Sequence, residues 1–105
     1  MSRRTDAIRA MLAQDPGDVF LIYSLGMELA GEGDFAPAAA TFQRCIELDA
    51  TYLPAYVEAG KSLRSAGQRD AARAMFERAM TLAQAQQKTH VVSFVRQQLE
   101  GLGPP

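Results

Sequence analysis

Cysteine and histidine are almost absent from this chain of 105 residues, which has one of each, Cys45 and His90. A single cysteine cannot form a disulfide within the chain, and so few soft ligands argue against a zinc site or an iron–sulfur cluster. No apolar run approaches the length of about 18 residues that a membrane-spanning helix needs. The N-terminal segment also lacks the apolar stretch of a secretory signal. We therefore expect a cytoplasmic protein without a cofactor, since a reducing compartment is the default for such a chain.

Neither acids nor bases are in large excess, and the formal net charge is −1. This near balance argues against a general nucleic-acid binder. The distribution is uneven, with eight acids and one base in residues 15–58 but seven bases and two acids in residues 61–96. Either these charges belong to ordinary solvated helix faces, or they steer a charged partner or a head-to-tail contact between copies. Apolar residues make up 48% and charged residues 22%, which are the values of one globular domain.

An internal repeat of 34 residues organises the chain. When the sequence is shifted by 34 positions, glycines, alanines and aromatic residues fall on residues of their own kind. The same shift backwards places Ile8 under Phe42 and Met11 under Cys45. The sequence therefore predicts repeated structural units of this length. The matched pairs are Gly26 and Gly60, Leu29 and Leu63, Gly33 and Gly67, Ala38 and Ala72, Phe42 and Phe76, Arg44 and Arg78, and Leu48 and Leu82.

Apolar residues inside each unit recur with the spacing of an α-helix, as Ile22, Leu25 and Leu29 show. Gly33 is expected to end that helix, because glycine adopts the left-handed conformation without a steric cost. Gly67 should do the same in the second unit. Each unit is therefore predicted to be a helix, a glycine turn and a second helix.

Residues outside and between these stretches complete the predicted secondary structure. Asp34 and Thr51 are the predicted N-caps of the helices that follow them. A further helix over about residues 4–14 should end at the proline–glycine turn after it. A last helix is expected over roughly residues 88–101. The chain is therefore predicted to contain six short helices and no strand.

This pattern resembles the tetratricopeptide repeat family, whose unit of 34 residues is a pair of antiparallel helices. The resemblance implies an all-α fold in which helix hairpins stack as a short right-handed superhelix. It divides a single domain into an N-terminal half-repeat helix (4–16), repeat one (19–52), repeat two (53–86) and a C-terminal capping helix (88–101). The signature positions hold Ile22, Leu25-Gly26, Leu29, Ala38, Phe42 and Cys45 in the first unit, and Tyr56, Ala59-Gly60, Leu63, Ala72, Phe76 and Ala79 in the second.

Two departures from the family pattern carry predictions. The closing proline is replaced by Ala50 in the first unit and by Gln84 in the second. Without a proline near residue 84, the helix there should either run on or end in a loose turn. Phe94 stands where a third unit would have its glycine. The last helix is therefore interpreted as a cap rather than as the start of a third repeat.

The resemblance also implies a non-catalytic protein–protein interaction module. In the family, the first helix of each repeat lines a groove that holds a peptide or helix of a partner protein. The apolar residues of repeat one either face this groove or pack under the N-terminal helix, and the bases of repeat two either hold a partner carboxylate or are simply solvated. The positions that line the groove are Phe20, Tyr23, Met27, Val57, Glu58, Lys61 and Arg64.

Other hypotheses are weaker. A family subgroup binds acidic chaperone tails through a lysine–asparagine clamp, which this chain replaces with Tyr23 and Met27, so that subtype is not expected. A self-assembly module is the main alternative, suggested by the short stack, by the acidic and basic halves and by the apolar final helix. A helical nucleic-acid binder is less favoured, since net charge argues against it. Its candidate residues are Arg69, Arg73 and Arg78.

Overall fold

Six α-helices joined by short turns make up residues 3–105, the part of the chain that the computed structural model describes. Each helix packs on the next one along the chain, and no strand occurs within this range. The predicted all-α class, a solenoid of stacked helix hairpins, is confirmed. The helices are α1 (Arg3–Gln14), α2 (Val19–Gly31), α3 (Phe35–Leu48), α4 (Leu53–Ser65), α5 (Arg69–Ala85) and α6 (Thr89–Leu102).

A glycine turns the chain after the first helix of both central hairpins, as the sequence predicts. Gly33 and Gly67 have φ angles of 83° and 80°, in the left-handed region where a side chain would be strained. In both turns the N–H of the following residue donates back into the helix at 2.9 Å. This is the closure of a Schellman motif, and it fixes the angle at which the second helix leaves.

The predicted N-caps are only partly correct. Asp34 occupies the N-cap position of α3, but its side chain makes no capping hydrogen bond. Thr51 is not the cap of α4, because Tyr52 takes that position. The N–H and hydroxyl of Thr51 instead donate to a carboxylate oxygen of Asp49 at 3.0 and 2.7 Å. A cap that the sequence analysis did not single out is Asp18, whose side chain accepts a backbone N–H of α2 at 3.1 Å.

Helix α5 runs on, which is one of the two outcomes expected from the missing proline. It has 17 residues, against 14 in its counterpart α3, which ends at Leu48 although Ala50 also replaces the proline there. The missing proline therefore permits the extension to Ala85 but does not by itself cause it. Gln87 then takes a left-handed φ of 58° and turns the chain into α6.

Two buried aromatic rings hold the central hairpins together. Phe42 and Phe76 are fully buried, and each ring lies against the helix glycine of its own repeat. A Cβ placed on Gly26 would lie 2.5 Å from Phe42, and one placed on Gly60 would lie 2.6 Å from Phe76. Both separations are far shorter than a carbon–carbon contact of about 3.5–4.0 Å, so only glycine fits at these two positions.

The group that faces each glycine differs from the expected one. From their small size alone, Ala38 and Ala72 would be expected to let two helices approach at the glycines. Both alanines are fully buried, but the atoms nearest to each glycine belong to the phenylalanine ring. The glycines therefore make room for an aromatic side chain of the facing helix.

The even-numbered helices α2, α4 and α6 lie side by side. The ring of Tyr23 in α2 meets the ring of Tyr52, just before α4, at a centroid distance of 5.4 Å. Lys61 Nζ in α4 lies 6.0 Å from the centre of the Phe94 ring in α6. Helices α1 and α3 border a separate cavity of about 540 Å³, lined in part by Arg44. The exposed side of α2, α4 and α6, called the even-helix face below, carries the predicted site.

Candidate functional site

The α4 part of the predicted site faces α6. Glu58 and Lys61 form an ion pair with 3.3 Å between the Lys61 Nζ and a Glu58 oxygen. Arg64, one turn further along α4, donates a hydrogen bond to the side-chain oxygen of Gln98 in α6. Val57 is half-buried in the same row. The charge of Lys61 is therefore offset by a neighbouring acid, whereas Arg64 is held by a neutral amide.

Phe94 and Gln98 belong to this face, and the sequence analysis did not assign them to it. It treated α6 as a cap and Phe94 as a departure from the glycine pattern. The signal that was available is the repeat itself, because these residues lie 34 positions after Gly60 and Arg64. Helix α6 therefore borders α4 as α4 borders α2, whatever its role as a cap.

Tyr23 joins α2 to the core and to the start of α4. Its ring centre lies 5.5 Å from that of Phe42 and 5.4 Å from that of Tyr52. Burial, and after it the charge of Glu58, raises the pKa of Tyr23 to about 12. The phenol is therefore neutral at physiological pH. Because it is half-buried, Tyr23 forms the floor of the even-helix face rather than a projecting anchor.

Phe20 and Met27 remain in solvent, with 69% and 41% of their surfaces exposed. Together with residues of α1 such as Ala7 and Met11, they line a cleft of about 610 Å³. The sequence left open whether these residues face a groove or pack under the N-terminal helix. They lie beside α1 and are not covered by it.

The structure brings the predicted residues into one strip with two chemically different ends. The α2 end is apolar and exposes Phe20 and Met27, while the α4 end carries Lys61 and Arg64. Tyr23 and Glu58 connect the two ends, since the charge of Glu58 acts on the Tyr23 hydroxyl. Such a strip has the chemistry to accept a peptide with an apolar side chain at one end and a carboxylate at the other.

The arginines of the nucleic-acid hypothesis are engaged within the chain. Arg69 and Arg73 each donate a hydrogen bond to a backbone carbonyl of the C-terminal segment 102–104. The guanidinium of Arg78 lies 5.2 Å from the centre of the Tyr56 ring. These side chains therefore fasten the end of the chain and the core to α5.

The residues that could carry chemistry outside this strip are few. His90 is exposed at the start of α6. Among residues 3–105, no three side chains of the His, Cys, Asp or Glu type are grouped so that they could hold a metal ion. None of the helices in this part of the chain is long and apolar enough to cross a bilayer.

Cys45 gives a simple chemical prediction. Its side chain is fully buried, and burial raises the pKa of the thiol to about 11. Because the thiolate is the reactive form, we expect no measurable reaction of the native protein with Ellman's reagent at neutral pH. One equivalent should react after unfolding in guanidinium chloride. Rapid reaction of the native protein would contradict the buried position of this residue.

A stack of helix hairpins with one exposed helical face defines a helical-repeat protein. A sequence model of the tetratricopeptide repeat matches residues 21–52 and 53–86. The chain belongs to the tetratricopeptide repeat family. Among curated proteins, none is detectably similar in sequence.

Several solved structures have the same fold. Protein BPP2914 from Bordetella parapertussis is 30% identical, with a TM-score of 0.84 over 97% of this chain and 89% of that one. PcrH in complex with the chaperone-binding region of PopD is 20% identical, with a TM-score of 0.87 over 93% and 74% of the two chains. The TPR2B domain of yeast Sti1 in its complex with pHsp70 is 20% identical, with a TM-score of 0.73 over 90% and 81%. Membership in this family supports a role in protein–protein interaction.

Proposed function

We propose that this chain is a non-catalytic module that binds a peptide or helix of a partner protein on its even-helix face. The observation that carries the proposal is the strip described above. It combines exposed apolar side chains, Phe20 and Met27, with a guanidinium, Arg64, that is held by a neutral amide. An exposed apolar patch beside a cation is a common mark of a peptide-binding surface.

The chemistry of the strip indicates what the bound peptide should contain. Its α2 end offers apolar surface around Phe20, which suits an aromatic or branched aliphatic anchor. Its α4 end offers Arg64, which can form a charge-assisted hydrogen bond to a carboxylate. Lys61 contributes less, because Glu58 already neutralises it at 3.3 Å. A peptide with one apolar anchor and one acidic residue therefore fits best.

The neighbouring structures support this proposal by analogy. PcrH was solved with a segment of PopD, and the TPR2B domain of Sti1 was solved with pHsp70. Both share less than a quarter of their residues with this chain, so they indicate only that this fold is compatible with holding part of another protein. The chemistry expected of the partner is therefore argued from the surface of this chain alone.

A charge-reversal pair tests the proposal. A peptide would first be selected from a random display library for binding to the full chain, and its affinity would be measured by calorimetry. Arg64→Glu removes the proposed carboxylate contact, which is worth at least about 1.5 kcal/mol, so affinity should fall about tenfold or more. Arg44→Glu makes the same change of net charge beside the cavity between α1 and α3 and should alter affinity by less than about twofold.

The comparison of the two variants separates the even-helix face from the rest of the surface. Equal losses in both variants would mean that net charge alone attracts the peptide. No loss in Arg64→Glu would remove the α4 end of the strip from the binding site. Either result would contradict the proposed function, provided that circular dichroism shows both variants to be folded.

A further inference from the structure

One face of α1 is more exposed than the matching face of α3. The shift of 34 residues equates Ile8 and Met11 of α1 with Phe42 and Cys45 of α3. Phe42 and Cys45 are fully buried, because α2 packs over that side of α3. Met11, in contrast, is 48% exposed.

The uncovered face of α1 continues into the exposed end of α2. The two helices border the cleft of about 610 Å³, and we call its apolar lining the α1–α2 patch. Of the five large apolar side chains that are exposed among residues 3–105, three lie here. The patch consists of Ala7, Ile8 and Met11 from α1 and Phe20, Tyr23 and Met27 from α2.

We propose that a second copy of the chain covers this patch in a twofold-symmetric dimer. A twofold contact requires one surface to be complementary to itself. The α1–α2 patch meets this requirement in shape, because a projecting side chain, Phe20, stands beside a cleft on the same surface. The charges at the edge of the patch are self-complementary as well. Arg4 and Glu28 pair at its edge with 3.3 Å between Arg4 Nε and a Glu28 oxygen, so both signs are present for a partner of identical charge.

The opposite end of the stack does not suit a head-to-tail contact. In α6, the positions that correspond to the buried Tyr56 and Leu63 of α4 hold His90 and Gln97, both exposed. Packing this side of α6 on α1 would bury polar groups without assured partners, which is unfavourable. Only the α1 end can bury mainly apolar surface, and self-association should therefore join two α1 ends.

The size of the patch sets the expected strength. Helix α1 has 12 residues and is about 18 Å long. Two helices side by side are about 20 Å wide, so the patch covers roughly 360 Å² in projection on each copy. This is below the area of a standard stable interface, and we expect a dissociation constant on the order of 100 µM.

Sedimentation equilibrium of the full chain tests this proposal. From about 10 µM to about 1 mM, the apparent mass should rise from that of the 11.4 kDa chain towards twice that value. Met11→Glu places a charge in the patch and should remain monomeric throughout, as should the smaller change Ala7→Glu. The control Leu48→Glu alters a residue of similar exposure, 45%, at the end of α3 and should dimerise like the unaltered chain.

Each outcome decides the matter. An unaltered chain that stays monomeric at the highest concentration would overturn the proposal and leave the patch to a helix of another protein. Dimerisation of folded Met11→Glu and Ala7→Glu would overturn it too. Dissociation by high salt would point instead to a head-to-tail contact between the acidic and basic halves.

This result can be separated from that of the proposed function. The α1–α2 patch shares Phe20, Tyr23 and Met27 with the even-helix face, so a dimer would compete with the peptide, and dimerisation is therefore measured without peptide. Arg64 lies outside the α1–α2 patch, so Arg64→Glu should dimerise normally. Failure of one proposal therefore leaves the other testable.

Discussion

Replacing Phe76 by alanine is expected to remove about 3–5 kcal/mol of the free energy of unfolding. The ring is fully buried and lies against Gly60, which has no side chain that could fill the space left by the ring. A domain of this size is stable by about 5–15 kcal/mol in total, so this single truncation should remove a large share. Urea denaturation monitored by circular dichroism measures the loss.

Phe94→Ala provides the matched control, because it makes the same chemical change at a ring that is 36% exposed. Truncating this ring removes much less buried surface, and the expected cost is about 1 kcal/mol or less. Similar losses in Phe76→Ala and Phe94→Ala would mean that the ring at 76 does not hold the second hairpin together.

Replacing Gly60 by leucine is expected to destabilise the protein by about 3 kcal/mol. Even the first carbon of the new side chain would lie 2.6 Å from the Phe76 ring, which has no solvent-exposed space into which it can move. Helix propensity alone predicts the opposite sign, since leucine is a much better helix former than glycine. The result therefore decides which of the two effects controls this position.

Gly31→Leu is the control for that substitution. Gly31 also lies in the first helix of a hairpin, but a Cβ there would have nothing within 4 Å. Leucine at this position should leave stability unchanged or raise it by up to about 0.8 kcal/mol. Equal destabilisation by Gly60→Leu and Gly31→Leu would show that the ring contact is not the cause.

The double variant Gly60→Leu with Phe76→Ala links the two predictions. The leucine would then occupy part of the space that the ring has left. The double variant should therefore lose less free energy of unfolding than the two single variants lose in sum. Such non-additivity is expected only for residues in direct contact. Simple addition of the two losses would contradict the packing of ring on glycine.

Much of the fold could be predicted because the repeat encodes local and short-range features. Turn glycines such as Gly33 specify a backbone conformation that other residues avoid, and they mark the same point in both units. The replacement of proline by Gln84 predicts either a longer helix or a loose turn, and α5 takes the first of these outcomes. Such features depend on a few neighbouring residues and can be read from spacing.

Features that depend on competition between contacts could not be predicted. Thr51 has the chemistry of an N-cap, but the nearby carboxylate of Asp49 binds its hydroxyl. Ala38 has the small size that a close helix contact needs, but a larger ring reaches the glycine first. In each case the residue type allows two arrangements, and the three-dimensional surroundings select one.

The candidate site shows the same division. The resemblance to the family implies that Tyr23 and Lys61 line one face, and both are half-buried in the structure. The resemblance does not show that Tyr23 is held between two other rings, or that Phe94 and Gln98 from α6 border the same face. Those relations arise from the stacking of separate hairpins.

The measurement that most directly tests the account is amide chemical-shift mapping of the selected peptide on the full, isotope-labelled chain. We expect the largest shifts along the even-helix face, at Tyr23, Lys61, Arg64 and Gln98. Shifts that are confined to α3 and α5, with these residues unchanged, would contradict the claim that stacked hairpins leave the side of α2, α4 and α6 open for a partner.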